Sequence, residues 1–323
     1  MKIIKPSYEI INEPNILKKI ERCGRVCYKS ENRITENSAI PFCNNILKLG
    51  HESVLEHGEY ILQFKNSNDY AKIICSMRVI EEETGEKSLL RFTINKDRYI
   101  ISGNVRMWRD FIKGCIKNNI YICNKALTLL TYTFDITSKN EFKTLFGDIL
   151  SVPDKYEINP FPVKFLIADD LITDSEILTH KTITVKFITD RGISHEIVRH
   201  RPASYSQEST RYVNYKNKGT EVICPSQIEE DSSEYNIWKS TISHADENYN
   251  SLLETKTPQI ARAVLPTCLK TEIMVTANVR EWLHILKLRT DSAAHPDVRK
   301  LMKPLLQEFA SLMPKYFNTL LTN

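Results

Sequence analysis

Gly192-Ile193-Ser194-His195-Glu196-Ile197-Val198-Arg199-His200-Arg201-Pro202-Ala203-Ser204-Tyr205-Ser206-Gln207-Glu208-Ser209-Thr210-Arg211-Tyr212 is the stretch on which the reading of this chain turns. It follows Thr182-Ile183-Thr184-Val185-Lys186-Phe187-Ile188, a β-branched run that predicts a strand. Ile193, Ile197 and Val198 then share one helical face, while Glu196, Arg199 and His200 share another. Pro202 disfavours helix at Arg201, so a polar loop is expected over residues 199–211. That loop holds Arg199, Arg201 and Arg211 beside hydroxyls and Gln207. Guanidinium forks take phosphate oxygens two at a time, and hydroxyls and backbone N–H groups satisfy the remaining acceptors. A solvated basic loop is the alternative for the arginines taken alone.

The spacing is more specific than the composition. Arg199-His200-Arg201, a gap of seven residues and then Ser209 resemble the motif of the flavin-dependent thymidylate synthases, the ThyX family. A second block agrees. Gly50-His51-Glu52-Ser53-Val54-Leu55-Glu56-His57 has histidines and glutamates at a spacing that fits no common zinc helix. It is similar to the Gly-His-Glu-Ser/Thr-x-x-Glu-His segment of the same family. A third block comprises Ala261-Arg262, Leu265-Pro266, then Asn278-Val279-Arg280 and Leu288-Arg289. It resembles the family's Ala-Arg-x-x-Leu-Pro, Asn-x-Arg and Leu-Arg series. Arg262, beside Ala263 and Val264 on an apolar turn, is costly there unless it meets an anion.

The resemblance, over roughly residues 1–57 and 178–300, implies an α+β fold: a central, mostly antiparallel sheet flanked by helices. It implies methylation of dUMP to dTMP, with methylenetetrahydrofolate giving the carbon and FAD, reduced by NADPH, giving the hydride. In such chemistry the cofactor does the electron transfer and the protein binds and polarises. Carried over residue by residue, Glu196, Ile197, Val198, Arg199, Gln207, Glu208, Ser209, Thr210, Arg211 and Arg262 hold the nucleotide. Arg211 and Arg262 are assigned to its phosphate. Arg289 stabilises negative charge on the uracil as N3 loses its proton, and Ser209 orients the ring; these two are the expected catalytic residues. Arg199, His200, Arg201, Gln207, Asn278, Val279, Arg280 and His284 line the flavin, with Ser53 and Glu56 supplied by another subunit of a homotetramer. No metal is expected. Gln207 stands where Glu is common in the family, His284 where Asn is frequent, and Ala294-His295 where Ala-Gln occurs.

The chain departs from the family between the second block and the Arg-His-Arg strand. Leu55-Glu56-His57 is echoed by Leu178-Thr179-His180, 123 positions on (180 − 57), so residues 58–179 read as an insertion within a single domain spanning 1–323. The insertion is neither low-complexity nor rich in Pro and Gly, and is expected to fold. It contains an acidic turn at Glu81-Glu82-Glu83-Thr84-Gly85-Glu86, a strand at Tyr99-Ile100-Ile101, and helix from about Trp108 to Phe134. A second echo lies inside it: Ser102-Gly103-Asn104-Val105-Arg106-Met107-Trp108 resembles Thr276-Ala277-Asn278-Val279-Arg280-Glu281-Trp282. If structural, this echo would extend the sheet or cover the site with a similar strand–turn–helix corner.

Elsewhere, Ile16, Leu17, Ile20, Cys23 and Cys27 make an apolar stripe for a helix over 12–29 capped by Asn12. A Thr35 cap and Gly50 stop bound a second helix. Tyr235, Trp238, Ile242, Ala245, Tyr249 and Leu252 predict a long helix with a core-facing stripe, and the helix after Asp297 is expected to kink or divide at Pro304 and Pro314.

At 323 residues with 41% hydrophobic and 26% charged content, the chain has the composition of a soluble globular protein. No apolar run reaches the roughly 18 residues of a membrane span, and Met1-Lys2-Ile3-Ile4-Lys5-Pro6 lacks a secretory signal's apolar core. The eight cysteines form no Cys-x-x-Cys pair, which predicts reduced thiols in a cytoplasmic protein. A net charge of +4 suits a small anion. A nucleic-acid-binding protein using the Arg-rich loop is the alternative; the small charge and absence of a basic helix argue against it. A non-catalytic nucleotide-binding homologue is the other, against which the intact Arg262 and Arg289 weigh.

Overall fold

The computed structural model describes residues 1–137, 139–150, 163–216 and 219–321. Its strands are β1 Lys2–Ile4, β2 Ser7–Ile11, β3 Glu59–Phe64, β4 Arg91–Asn95, β5 Arg98–Asn104, β6 Val163–Leu166, β7 Thr182–Asp190, β8 Ser204–Gln207, β9 Glu221–Ile223 and β10 Lys270–Asn278. Its helices are α1 Ile16–Tyr28, α2 Ala39–Lys48, α3 Ser67–Thr84, α4 Val105–Asn118, α5 Tyr121–Thr137, α6 Lys139–Phe146, α7 Asp174–His180, α8 Arg191–Ile197, α9 Ser233–Leu252, α10 Pro258–Ala261, α11 Val279–Thr290, α12 Pro296–Leu312 and α13 Pro314–Leu321. The class is α+β with antiparallel sheets, as the resemblance implied.

The chain forms two compact units: the first comprises residues 1–12, 24–31 and 183–323, the second 13–23 and 32–182. The first unit holds a four-stranded sheet of order β2-β7-β10-β8 and a parallel pair of β1 with β9. β10 is buried along its whole length, and α11 to α13 supply Trp282, Phe309 and Phe317 to the core beside Phe187. Burying side chains of this size is the main favourable term, about 1.5–3 kcal/mol for each Phe or Leu. The second unit has its own four-stranded sheet, order β4-β5-β3-β6, all antiparallel. Ile61, Ile100, Leu166 and Leu171 form one of its core clusters. All four of its strands fall within residues 58–179.

Several local expectations need correction. The 199–211 segment is not all loop: Ser204–Gln207 pairs antiparallel with Ile273–Thr276, and its side chains alternate buried and half-buried. A polar run too short to announce itself as a strand becomes one because a buried neighbour supplies backbone partners. α1 starts at Ile16; the Asn15 side chain, not Asn12, accepts from Lys18 N at 2.9 Å. α2 begins after Ser38, whose side chain makes no cap bond, so Thr35 is not its cap. Glu81–Thr84 form the last turn of α3, and Gly85 ends it at φ +71°, a conformation natural to glycine. The expected single helix from Trp108 is two, broken at Asn119 in the left-handed region. α12 runs through Pro304, and the division falls at Pro314.

Candidate active site

The strand β7 ends at Asp190, whose side chain accepts from Ile193 N at 2.9 Å and starts α8. That cap directs Glu196 and the Arg199-His200-Arg201 segment. Beyond α8 the segment is tied to itself: Tyr205 Oη donates to the carbonyls of Ile197 (3.1 Å) and His200 (2.9 Å). Arg201 Nη1 donates to the carbonyls of Val198 and His200, and its guanidinium lies 5.1 Å from the Tyr205 ring centroid. Burial pushes the Tyr205 hydroxyl up to about 12, so it remains a donor.

At the far end of β10, the Asn278 side chain accepts from Glu281 N at 2.9 Å and caps α11. One turn of that helix presents Arg280, Glu281 and His284; its last turn presents Arg289. Arg289 is fully engaged by residues some 90 positions earlier. Its Nε donates to His200 Nε2 (2.9 Å), Nη1 to the Glu196 carboxylate (2.6 Å) and Nη2 to the Glu196 carbonyl (2.8 Å). Burial first, and the charge of Arg289 second, lower His200 to about 4, so its imidazole is neutral at pH 7. An Nε2 that accepts from Arg289 puts that proton on Nδ1.

Arg262 Nη1 donates to Thr210 Oγ1 at 3.2 Å, joining the third block to the Ser209 segment. Ser209 N donates to the Cys27 carbonyl (3.1 Å), and Ser209 Oγ accepts from Arg211 N (3.3 Å). Gln207 Nε2 donates to Ser194 Oγ (2.8 Å) and Thr271 Oγ1 (3.1 Å). Ile197 is buried, and Arg199, Arg201, Arg211, Arg262 and Arg280 face solvent. Exposed guanidiniums suit anionic groups, and Arg280 stands in the first turn of the capped helix α11, where helix N–H donors add to its charge. Ser53 and Glu56 belong to the second unit, in the turn Glu52–His57, where the Glu56 carboxylate accepts from Arg106 at 2.8 Å.

Two features had no clear sequence signal. Glu208 is buried and bonded to Tyr215 Oη (2.8 Å) and Lys270 Nζ (3.1 Å). Lys270 also meets Glu272 and Glu221, and Glu272 meets Lys186 at 2.5 Å and Lys29 at 3.3 Å. These lysines hold Glu272 down at about 2 despite burial, and the carboxylates raise Lys270 against its own desolvation. Paired charges of this kind persist in a core only because each satisfies the other. The second feature is Glu281. It is 7% exposed, its Oε1 has no hydrogen-bond partner, and burial pushes its carboxyl up to about 7. Glu281, His200 and His284 have possible ligand atoms within 4.8 Å of one another. The Arg289 donor already occupies His200 Nε2, so a cation taking that nitrogen would have to displace a guanidinium. A Glu three residues after a capping Asn reads as ordinary capping chemistry, which hid it.

The first unit thus combines exposed arginines, a neutral imidazole and a clamped guanidinium. A family model described as thymidylate synthase complementing protein matches residues 165–315. The flavin-dependent thymidylate synthase of Geobacter sulfurreducens is 34% identical over 128 residues, covering 39% of this chain and 55% of the relative. Those of Mycobacterium tuberculosis and Mycolicibacterium gilvum are 32% and 31% identical, each over 44% of this chain and 62–63% of the relative. The chain thus spans somewhat over half the length of these curated relatives. The likeness to flavin-dependent thymidylate synthases thus lies in the part of the chain that the family model matches, residues 165–315.

Proposed function

We propose that the protein converts dUMP to dTMP, with methylenetetrahydrofolate as carbon donor, FAD as flavin and NADPH as reductant. One observation carries the reading: Arg289, Glu196 and His200, drawn from two motif blocks, form a single hydrogen-bonded group in the first unit. Arg262 and Thr210 join the same two blocks a second time.

The residues fit a flavin dinucleotide. Arg199, Arg201 and Arg280 are exposed cations, and Asn278 leads into the N-terminus of α11, a donor set suited to a diphosphate. Flavin supplies the hydride when bound. The chain's own residues then bind and polarise: Arg211 and Arg262 hold the nucleotide phosphate, Ser209 orients the ring, and Arg289 stabilises negative charge on the pyrimidine. An arginine stays cationic at any working pH, and the Glu196 fork fixes its plane before substrate arrives. His200, neutral and accepting, holds the guanidinium's third edge without adding a competing positive charge. Burial pushes the Cys27, Cys224 and Cys268 thiols up, which supports a route without a cysteine nucleophile.

Ser53 and Glu56 are assigned to flavin, with completion of sites by subunits of a homotetramer; Glu208, assigned to the nucleotide from the motif, has its carboxylate engaged by Tyr215 and Lys270. No helix among the described residues is long and apolar enough to cross a membrane, and we place the enzyme in the cytoplasm. The test is direct. Purified protein, loaded with FAD, is expected to absorb as a flavoprotein and to release tritium from dUMP labelled at C5 when NADPH and the folate are present. Flavin-loaded protein that binds dUMP but releases no tritium would refute the reaction; failure to take up flavin would refute the cofactor.

A further inference from the structure

The two sequence echoes are parts of one pattern. Each four-stranded sheet contains, in spatial order, a first strand, a long second strand, the strand that ends in a capping asparagine, and a short edge strand: β6-β3-β5-β4 in the second unit, β2-β7-β10-β8 in the first. β3 and β7 each begin two residues after a fully buried histidine, His57 and His180. β5 and β10 each end in an asparagine whose side chain accepts, at 2.9 Å, from the backbone N–H three residues on: Asn104 from Met107, Asn278 from Glu281. Four residues after each asparagine stands a fully buried tryptophan. Trp108 Nε1 donates to the carbonyl of Tyr60, the second residue of β3, and Trp282 Nε1 to that of Ile183, the second residue of β7.

The registers agree as well. Thr184 and Thr276 share a side-chain hydrogen bond at 2.7 Å; shifted by 123 and by 174 (278 − 104) positions they become Ile61 and Ser102, which are cross-strand partners. The first strands repeat too: Ile11, the last residue of β2, pairs with Thr184, and Leu166, the last residue of β6, pairs with Ile61. In chain order, one series is β2, β3, β4, β5, α4 and the other β6, β7, β8, β10, α11. Each series contributes its first strand to the other's sheet.

From these coincidences we infer that the chain is a tandem duplication with exchanged first strands, and that only the second repeat keeps a working nucleotide site. The 174-position shift places Met107, Asp110 and Cys115 where the second repeat has Glu281, His284 and Arg289. Cys115 is buried, and no Arg-His-Arg segment lies between β3 and β4. The corner survives because its asparagine cap and tryptophan hold strand to helix; Arg106 remains where the second repeat has Arg280 but is paired with Glu56, and no counterpart of Arg289 remains. The site-bearing repeat alone answers to the family match at 165–315. This inference rests on the nucleotide reading above.

The experiment is equilibrium binding of dUMP to the FAD-loaded full-length protein, with stoichiometry per chain. One nucleotide per chain is expected, with affinity reduced at least tenfold in Arg289→Ala and unchanged in Asp110→Ala. Two nucleotides per chain, or one that survives Arg289→Ala and is lost in Asp110→Ala, would overturn the silent repeat while leaving the nucleotide reading intact. No binding by flavin-loaded wild type would overturn the nucleotide reading itself, and with it the claim of one site per chain.

Discussion

Replacing Glu281 by Gln should change how stability depends on pH. Burial moves this carboxyl from its ordinary 4.5 to about 7, with Oε1 unpartnered. A raised carboxyl binds its proton more tightly folded than unfolded, so between pH 4.5 and 7 the folded state holds the greater share of protons, and wild-type stability falls as pH rises through that window. The full penalty is present above pH 7. The difference of 2.5 (7 − 4.5), at about 1.4 kcal/mol for each factor of ten, sets an upper value of about 3 kcal/mol. Gln keeps the shape and carries no charge, so the variant should gain on wild type by up to that amount at pH 8 relative to pH 4.5. Calorimetric melts of both proteins at the two pH values measure it, with roughly 4–5 °C as the largest expected gain in relative Tm. His200 has the opposite sign, losing stability as pH falls through 6.5 toward 4, but it is present in both proteins and cancels in the comparison. A wild-type-to-variant difference that does not change with pH would show that Glu281 is already ionised and satisfied, and the reasoning fails.

Arg289→Ala should lower turnover by at least a hundredfold at saturating dUMP while the melt stays near wild type, because only the Glu196 and His200 contacts are lost; turnover within tenfold of wild type would remove Arg289 from its assigned role. Lys270→Met should destabilise by about 3 kcal/mol in urea titrations, since it removes the near cation of buried Glu208, to which Lys29 comes only within 3.8 Å, while Glu272 keeps Lys186 and Lys29; a cost under about 1 kcal/mol would mean Lys29 compensates Glu208. Asn104→Ala and Asn278→Ala should each cost about 1 kcal/mol, the loss of one cap bond. Unequal costs beyond that scale would show that the two corners are not held in the same way.

Much of the candidate site is legible in the sequence because its motifs are local. Arg199-His200-Arg201 to Ser209, and Asn278 to Arg280, carry their spacing in short segments, and a capping asparagine before a helix is a sequence-level signal. The class followed from the same segments. Ser204–Gln207 was missed as a strand because its backbone partners lie near residue 275, and no local periodicity encodes a partner that distant. The lysine–glutamate cluster has no local signal for a related reason: Lys29, Lys186 and Lys270 look like surface charges until folding places them within 4 Å of Glu208 or Glu272.

What the sequence determined alone is the set of segments and their kinship: three motif blocks and two echoes, since residue identity and short spacing survive without coordinates. Only the tertiary structure decided that the echoes are whole sheets, that their first strands change places, and that Glu281 stands unpaired beside His200. Strand exchange and burial are set by which distant segments meet, and a chain read one window at a time holds no record of that.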